Sequence, residues 1–108
     1  MKPEAKLKAK IRNLFKSDEF FLFHYPVGIV GVPGMPDYLG FLKAEPYAIP
    51  FAIEVKASGK KLTPHQAAKK HLLEDLGVYV LSPCDNIDAA REFREMLLNI
   101  KRRLLDLV

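Results

Sequence analysis

The segment FAIEVKA, residues 51–57, carries the clearest strand signal in the chain. Its alternating pattern predicts a β-strand, because successive side chains of a strand point to opposite faces. One face carries the apolar residues Phe51, Ile53 and Val55. The other face presents Glu54 and Lys56 side by side. A carboxylate can bind a hard cation such as Mg²⁺, and an ammonium can stabilise charge on a phosphate, so this face indicates either a chemical site or an ordinary surface ion pair.

Helix and strand signals on both sides of this segment predict an α/β domain. Thr63, Pro64 and Gln66 form a capping box with proline at the first helical position, and Gly77 ends that helix. Predicted helices cover residues 3–16, 63–77 and 88–106, and predicted strands cover 20–25, 37–42, 51–57 and 78–81. Residues 28–36, 43–50, 58–62 and 82–86 are predicted loops or turns. The order helix, three strands, helix, strand, helix predicts helices packed on a small mixed sheet.

The last predicted helix, residues 88–106, has apolar side chains that recur every three or four residues along one seam. These are Ala90, Phe93, Leu97, Ile100, Leu104 and Leu107. Leu98 and Leu105 lie off this seam and need another partner. The helix is therefore either one wide core-facing stripe or the contact surface of a homodimer.

Size and composition limit the class of protein. The chain has 108 residues, 49% of them hydrophobic and 28% charged, which fits one domain with a real core and excludes a disordered tail. No apolar run reaches the roughly 18–20 residues of a transmembrane helix, and the basic residues 1–16 lack the apolar segment of a signal peptide. A single cysteine, Cys84, excludes an internal disulfide and a cysteine-based zinc site. We therefore expect a reducing cytoplasm and no membrane association.

The charge balance favours a polyanionic partner. Lysine and arginine outnumber aspartate and glutamate by 17 to 13, which gives a net charge of +4. The excess lies in two clusters: residues 2–16 contain six basic side chains, and residues 56–70 contain five lysines and no acid. Because each contacted phosphate releases counterions, nucleic acid is the expected partner. The alternative is that these lysines only solvate two helices.

Asp37 adds a second carboxylate to the segment 51–57. It follows Pro36 and opens a predicted strand that can pair with residues 51–57 in a hairpin with a loose turn. Such a hairpin brings Asp37 near Glu54. Two carboxylates beside Lys56 would make a minimal Mg²⁺ site for phosphodiester hydrolysis. The alternative for Asp37 is an ordinary turn residue after proline.

Three segments in this order, GMPD at residues 34–37, IEVK at 53–56 and LTPHQ at 62–66, resemble the VRR-NUC domain of the PD-(D/E)XK nuclease superfamily. The resemblance covers about residues 4–82. It implies a single VRR-NUC-like nuclease domain over residues 1–108, with a restriction-endonuclease-like core in the order αβββαβ. The C-terminal helix, residues 88–106, is then a candidate dimer contact. Small chains of this family imply the cytoplasm of a bacterium or of a phage-infected host cell.

The resemblance assigns roles to individual residues of this sequence. Asp37 and Glu54 would bind Mg²⁺ or Mn²⁺, and the backbone carbonyl of Val55 would be a further ligand. Lys56 would position the attacking water or stabilise the reacting phosphate. These four residues form the implied metal and catalytic centre.

Two further catalytic candidates, Gln66 and Glu4, match positions that the family places near its site. Each also has a structural explanation, because Gln66 completes the capping box and an acid in a first helical turn suits the helix dipole. The sequence departs from the family pattern at His24-Tyr25, where many relatives carry a lysine, and in its apolar glycine loop. Substrate contacts around that loop are therefore the least constrained by the resemblance.

The candidate nucleic-acid contacts are basic or aromatic side chains near the predicted site. The lysines would hold the phosphate backbone, and Tyr25 and Tyr38 flank the glycine loop, where a ring can stack on a base or sugar. The candidate nucleic-acid contacts are Lys60, Lys61, Lys69, Lys70, Tyr38 and His24.

Taken together, these observations predict a metal-dependent DNA endonuclease that selects DNA structure, such as a Holliday junction or other branched DNA. Chains of this family resemble junction resolvases that act as two-fold dimers, so we expect a homodimer. One alternative is a catalytically silent nucleic-acid-binding module of a larger assembly. Another is a subunit that binds a protein partner through its C-terminal helix.

Overall fold

The computed structural model describes residues 2–24 and 33–107 of the chain. Their helices are α1 (Pro3–Leu14), α2 (Pro64–Asp75) and α3 (Ile87–Asp106). Their strands are β1 (Phe20–His24), β2 (Tyr38–Ala44), β3 (Tyr47–Val55) and β4 (Tyr79–Cys84). Tyr25 and most of the predicted glycine loop lie outside the described residues. None of the helices within these ranges is long and apolar enough to cross a membrane.

The strands form one mixed sheet in the order β1-β2-β3-β4. β1, β2 and β3 are antiparallel neighbours, whereas β4 lies parallel to β3 because α2 carries the chain back to the same end of the sheet. The predicted order αβββαβ with a C-terminal helix is confirmed. The α/β class with a small mixed sheet flanked by helices is confirmed as well.

The predicted turn at residues 43–50 is wrong in extent. β2 continues to Ala44 and β3 begins at Tyr47, so the turn consists of Glu45 and Pro46. Pro50 lies inside β3 rather than in a turn. It precedes Phe51, the first β3 residue that pairs with β4, so the missing N–H of Pro50 does not interrupt that parallel pairing. The predicted turn at 82–86 is likewise shorter, because β4 extends to Cys84.

The core lies between one face of the sheet and the helices α1 and α3. Four phenylalanines form its centre, with the rings of Phe15 and Phe51 stacked at 5.2 Å and Phe20 and Phe93 meeting Phe51 edge-on. Offset and edge-to-face ring pairs add stabilisation beyond their buried area. Ile11 of α1 is fully buried with them. This cluster fixes α1 and α3 against the central strands β2 and β3.

α3 follows the core-facing arrangement of its apolar seam. Asn86 caps the helix, since its side chain accepts a hydrogen bond from the backbone N–H of Ala89 at 2.8 Å. The buried residues of the seam are Ala90, Phe93 and Leu97. Leu98, which lies off the seam, also packs against the core, whereas Leu105 is 37% exposed. Most of the apolar surface of α3 is therefore used within the chain.

Truncating the buried seam should cost far more stability than truncating its exposed end. We expect Leu97→Ala to lower the free energy of unfolding by about 2–5 kcal/mol, because it opens a cavity in the core. Leu105→Ala removes the same atoms from a partly exposed position and should change that free energy by about 1 kcal/mol or less. Urea denaturation of the two variants measures the difference. Equal losses would contradict the core-facing arrangement of α3.

Candidate functional site

The register of β2 and β3 places two carboxyl groups side by side. Tyr38 pairs with Ile53, so the next positions on the two antiparallel strands are Asp37 and Glu54. Residues directly opposite each other in such a pair have neighbouring side chains on one face. Asp37 Oδ2 accepts a hydrogen bond from the backbone N–H of Val55 at 2.8 Å. The hairpin therefore brings together the two acids that the sequence analysis selected.

A close backbone contact positions the segment that carries Asp37. Gly34 has φ = +82° and lies directly against the first turn of α2. A Cβ atom at position 34 would overlap the backbone of His65 and Gln66. Only glycine satisfies both the positive φ and this approach. The GMPD and LTPHQ segments are thus packed together. Asp37 lies three residues after Gly34, so this contact helps to fix its position.

The Glu54 side chain is in an environment that opposes its ionisation. The residue is only 4% exposed, and burial is the largest cause that raises the pKa of its carboxyl group to about 8. A hydrogen bond with Asp37 and the negative charge of Asp37 raise this pKa further, against the opposing charges of Lys56 and Lys8. The Glu54 carboxyl group therefore keeps its proton near neutral pH in the metal-free protein. Perturbed pairs of this kind are typical of functional sites.

Lys8 of α1 completes the charge cluster, and the sequence analysis did not select it. Its Nζ lies 3.5 Å from Asp37 Oδ1 and 3.6 Å from Glu4 Oε1. Burial lowers the pKa of Lys8, but the charges of Asp37 and Glu4 outweigh burial and raise it above its ordinary value. The spacing of Glu4 and Lys8 could have identified Lys8 from the sequence, because residues four apart on a helix share a face.

Lys56 lies at the end of β3, where the pairing with β4 becomes irregular. Between the pairs Ile53–Leu81 and Val55–Cys84, β3 advances by two residues and β4 by three. Such bulges are common next to active sites because they redirect side chains. The backbone N–H of Lys56 donates to the carbonyl of Cys84 at 2.9 Å, which anchors the lysine beyond the bulge.

The half-buried Lys56 side chain lines a groove of about 380 Å³ between α1, the end of β3 and the start of α3. Glu4 lies in the same groove, so its carboxylate is close to the site but reaches Asp37 only through Lys8. Lys6 and Lys10 of α1 also line it. The groove therefore has three lysines and the two acids Glu4 and Asp85 in its lining, and Lys56 and Glu4 are the catalytic candidates that reach it.

The donor set near Asp37 suits a hard cation. Two carboxylates, together with the backbone carbonyl of Val55, the residue that follows Glu54, offer the oxygen ligands that Mg²⁺ and Mn²⁺ prefer. Among residues 2–24 and 33–107, no group of three or more His, Cys, Asp or Glu side chains is arranged to hold a metal ion. A two-carboxylate site is nevertheless adequate for Mg²⁺, which usually keeps several water ligands. The residues present therefore fit this ion.

Gln66 has a structural contact in this structure. Its Oε1 accepts from the backbone N–H of Thr63 at 2.9 Å, and its own N–H donates to Thr63 Oγ1 at 3.2 Å. The predicted capping box is thus formed, and it engages the Gln66 side chain at the start of α2. The Gln66 backbone also faces Gly34, so the residue helps to locate the GMPD segment.

Two of the proposed nucleic-acid contacts, Tyr38 and Lys70, have side chains that make contacts within the fold. Tyr38 is 1% exposed, and its hydroxyl accepts a hydrogen bond from Arg12 at 3.0 Å, so its ring is not available to stack on a base. Lys70 donates from Nζ to the carbonyl of Ser82 at 2.8 Å and joins α2 to β4. Both side chains serve packing that a linear sequence does not display.

The other proposed contacts lie at or near the surface. Lys60 and Lys61 are exposed in the loop between β3 and α2, and Lys69 of α2 is half-buried. His24 is exposed at the end of β1, with its ring 6.0 Å from the ring of Tyr38. These four side chains remain candidates for contact with a polyanion.

Replacing Glu54 should change how stability depends on pH. A group whose pKa rises from 4.5 in the unfolded chain to about 8 in the folded chain contributes stability below 4.5, and this is lost as pH rises to 8. We therefore expect metal-free Glu54→Gln to melt higher than the wild type at pH 9, by roughly 5 °C or more, with the gain shrinking toward pH 4.5.

Thermal melts across this pH range test the expectation, with Glu19→Gln as the control. Glu19 is exposed, and a hydrogen bond from Lys101 lowers its pKa, so its replacement should give no such gain at high pH. A Glu54→Gln melting difference that is constant with pH would contradict the inferred environment of Glu54.

Comparison with solved structures bears on the fold of this chain. No family model matches the chain, and no curated protein matches it. A solved structure described as a VRR_NUC domain matches with a TM-score of 0.66, covering 88% of this chain and 97% of that chain at 19% sequence identity. At this identity the match concerns the fold. The chain therefore has the VRR-NUC fold, with the restriction-endonuclease-like core that its three motif segments predict.

Proposed function

We propose that this chain is a metal-dependent nuclease that hydrolyses phosphodiester bonds in DNA. The observation that carries the proposal is the pairing of the half-buried Asp37 with the buried Glu54, with Lys56 directly after the end of β3. A buried carboxyl group beside a second carboxyl group destabilises a fold when both are ionised. Their presence is explained if the site exists to hold a cation. The VRR-NUC fold supports the same function by analogy.

Each residue of the pair has a defined task in this proposal. Asp37, Glu54 and the Val55 carbonyl would hold Mg²⁺ or Mn²⁺, an ion that lowers the pKa of water and neutralises phosphate charge when bound. The hydrogen bond from the Val55 N–H keeps Asp37 oriented toward Glu54. Lys56 reaches the groove wall, where its ammonium can orient a water molecule or stabilise charge on the scissile phosphate.

The DNA backbone would approach along the groove that contains Lys56. Lys6 and Lys10 line this groove, and Lys60 and Lys61 are exposed in the loop that follows Lys56. This distribution favours recognition of phosphates and of DNA shape over recognition of bases. We therefore propose structure-selective cleavage of branched DNA such as a Holliday junction.

Cleavage of a labelled four-way junction and of plain duplex with Mg²⁺ or Mn²⁺ tests this function. Lys56→Ala and Asp37→Asn should each lower the cleavage rate by about 100-fold or more, because each removes a charge from the reacting centre. Lys43→Ala is the matched control, since Lys43 is exposed and pairs with Glu45 at the turn end of β2. It should cut at the wild-type rate.

A wild type that binds the junction but cuts it with neither metal would contradict the nuclease proposal. The catalytically silent binding module would then be the better description. Cleavage of duplex and junction at equal rates would contradict only the structure selectivity.

We further propose that the chain forms a homodimer through the outer face of β1 and β2. Phe20 and Leu42 are paired and buried, so their neighbours Phe21 and Phe41 point to the opposite face, where they are 59% and 50% exposed. Phe23 on the same face is 43% exposed. Exposed apolar patches of this kind mark interaction surfaces. This face replaces α3 as the favoured contact, because α3 uses most of its apolar surface in the core.

Paired charge substitutions distinguish the two dimer surfaces. Phe41→Glu should convert a sedimenting dimer to a monomer, because a carboxylate opposite a second copy would be desolvated. Leu105→Glu, on the exposed end of α3, should leave the dimer intact. The opposite result would return the interface to α3, and a monomeric wild type would contradict the dimer altogether.

A further inference from the structure

The ammonium of Lys8 occupies the position of a cation beside Asp37. Asp37 Oδ2 is engaged by the backbone N–H of Val55 at 2.8 Å, which leaves Oδ1 as its less engaged oxygen. Lys8 Nζ lies 3.5 Å from that Oδ1. On its other side the same Nζ lies 3.6 Å from Glu4 Oε1. One ammonium thus stands between two carboxylates from different elements.

The fold holds Lys8 in this place. Tyr38, the chain neighbour of Asp37, donates from its buried hydroxyl to the backbone carbonyl of Lys8 at 3.4 Å. The same hydroxyl accepts from Arg12 at 3.0 Å, one turn further along α1. These contacts fix α1 in register with the start of β2. The Lys8 side chain is 32% exposed, so the ion pair belongs to a partly enclosed site rather than to the open surface.

We propose that Lys8 is a built-in counter-ion that competes with a divalent metal ion for Asp37 and moves toward Glu4 when the metal binds. The inference rests on the proposed function, because it requires that Asp37 and Glu54 bind such an ion. It assigns Lys8 to neutralising the acidic pair in the metal-free protein. It assigns Glu4 to receiving the released ammonium.

Charge and spacing support this exchange. Burial of Glu54 and the neighbouring Asp37 carboxylate oppose a second negative charge at this site, and Lys8 supplies one positive charge 3.5 Å from Asp37 Oδ1. A divalent ion brings twice that charge and is favoured at the same oxygen. Glu4 is four residues before Lys8 on α1, so the ammonium retains a partner after it leaves Asp37. The affinity for the metal ion then depends on how much more strongly Asp37 binds the divalent ion than it binds the Lys8 ammonium.

Binding of Mn²⁺ alone, measured by calorimetry without DNA at roughly physiological salt, tests the exchange. Lys8→Met should tighten the Kd for Mn²⁺ at least about fivefold, because the competing charge is removed. Lys10→Met is the matched control. It removes the same charge from an exposed position on α1 that makes no ion pair with Asp37 among the described contacts, and screening should hold its effect to less than about twofold.

The outcomes separate this inference from the proposed function. A Lys8→Met variant that binds Mn²⁺ as weakly as the wild type, or more weakly, overturns the competition while leaving the metal site intact. A wild type that binds no Mn²⁺ overturns the metal site and the inference together. Activity is not part of either readout.

A second measurement uses the wild-type chain and covers the case in which Lys8→Met fails to fold. In protein with ¹³C-labelled lysine side chains, Mg²⁺ should move the Cε resonance of Lys8 as its ion pair with Asp37 breaks. The Lys10 resonance should stay within the spread of the other exposed lysines. A Lys8 resonance unchanged at saturating Mg²⁺ overturns the proposal.

Discussion

The pairing of Asp37 with Glu54 is the constraint on which the rest of the site depends. Ordinary β-sheet register creates it, because Tyr38 opposite Ile53 leaves these acids as the next facing pair. Burial then makes the pair unfavourable as two free charges, which is why Glu54 holds its proton to about pH 8. The fold compensates with positive charge from Lys8 and Lys56. The two neighbouring carboxyl groups therefore destabilise the fold when both are ionised. The lysines reduce this cost, and a bound cation would reduce it further.

Much of this arrangement can be predicted from the sequence, because it depends on local rules. The alternation in residues 51–57 predicts β3, and Thr63 with Gln66 predicts the start of α2 through a capping box that the structure contains. The proximity of Asp37 to Glu54 follows from an antiparallel hairpin, whose pairing is simple. Pro50 led to the wrong prediction of a turn, because proline usually breaks a strand. Here it lies in β3 just before the residues that pair with β4, so its missing N–H does not interrupt that pairing.

The residues that the sequence analysis missed or misplaced depend on contacts between distant elements. Lys8 lies in the site because α1 packs across the start of β2. Helical periodicity predicts which residues of α1 share a face, but it does not predict which strand that face contacts. Tyr38 is likewise buried by α1, 26 residues away from its partner Arg12. Lys70 of α2 bonds to a carbonyl on β4, which only the parallel crossover brings near. Long-range register, rather than residue type, decides these three cases.

The weak attachment of α2 affects local unfolding near the acidic pair. None of its residues is buried, so this helix is held by its packing on β4, by the close backbone approach at Gly34 and by the bond from Lys70 to Ser82. Elements with few buried contacts exchange their amide protons through local opening well below the global free energy. When α2 detaches, Gly34 loses its support three residues before Asp37. Local opening of α2 would therefore loosen the segment that positions Asp37. A polyanion bound to the lysines before α2 would reduce the motion of this helix and of that segment together.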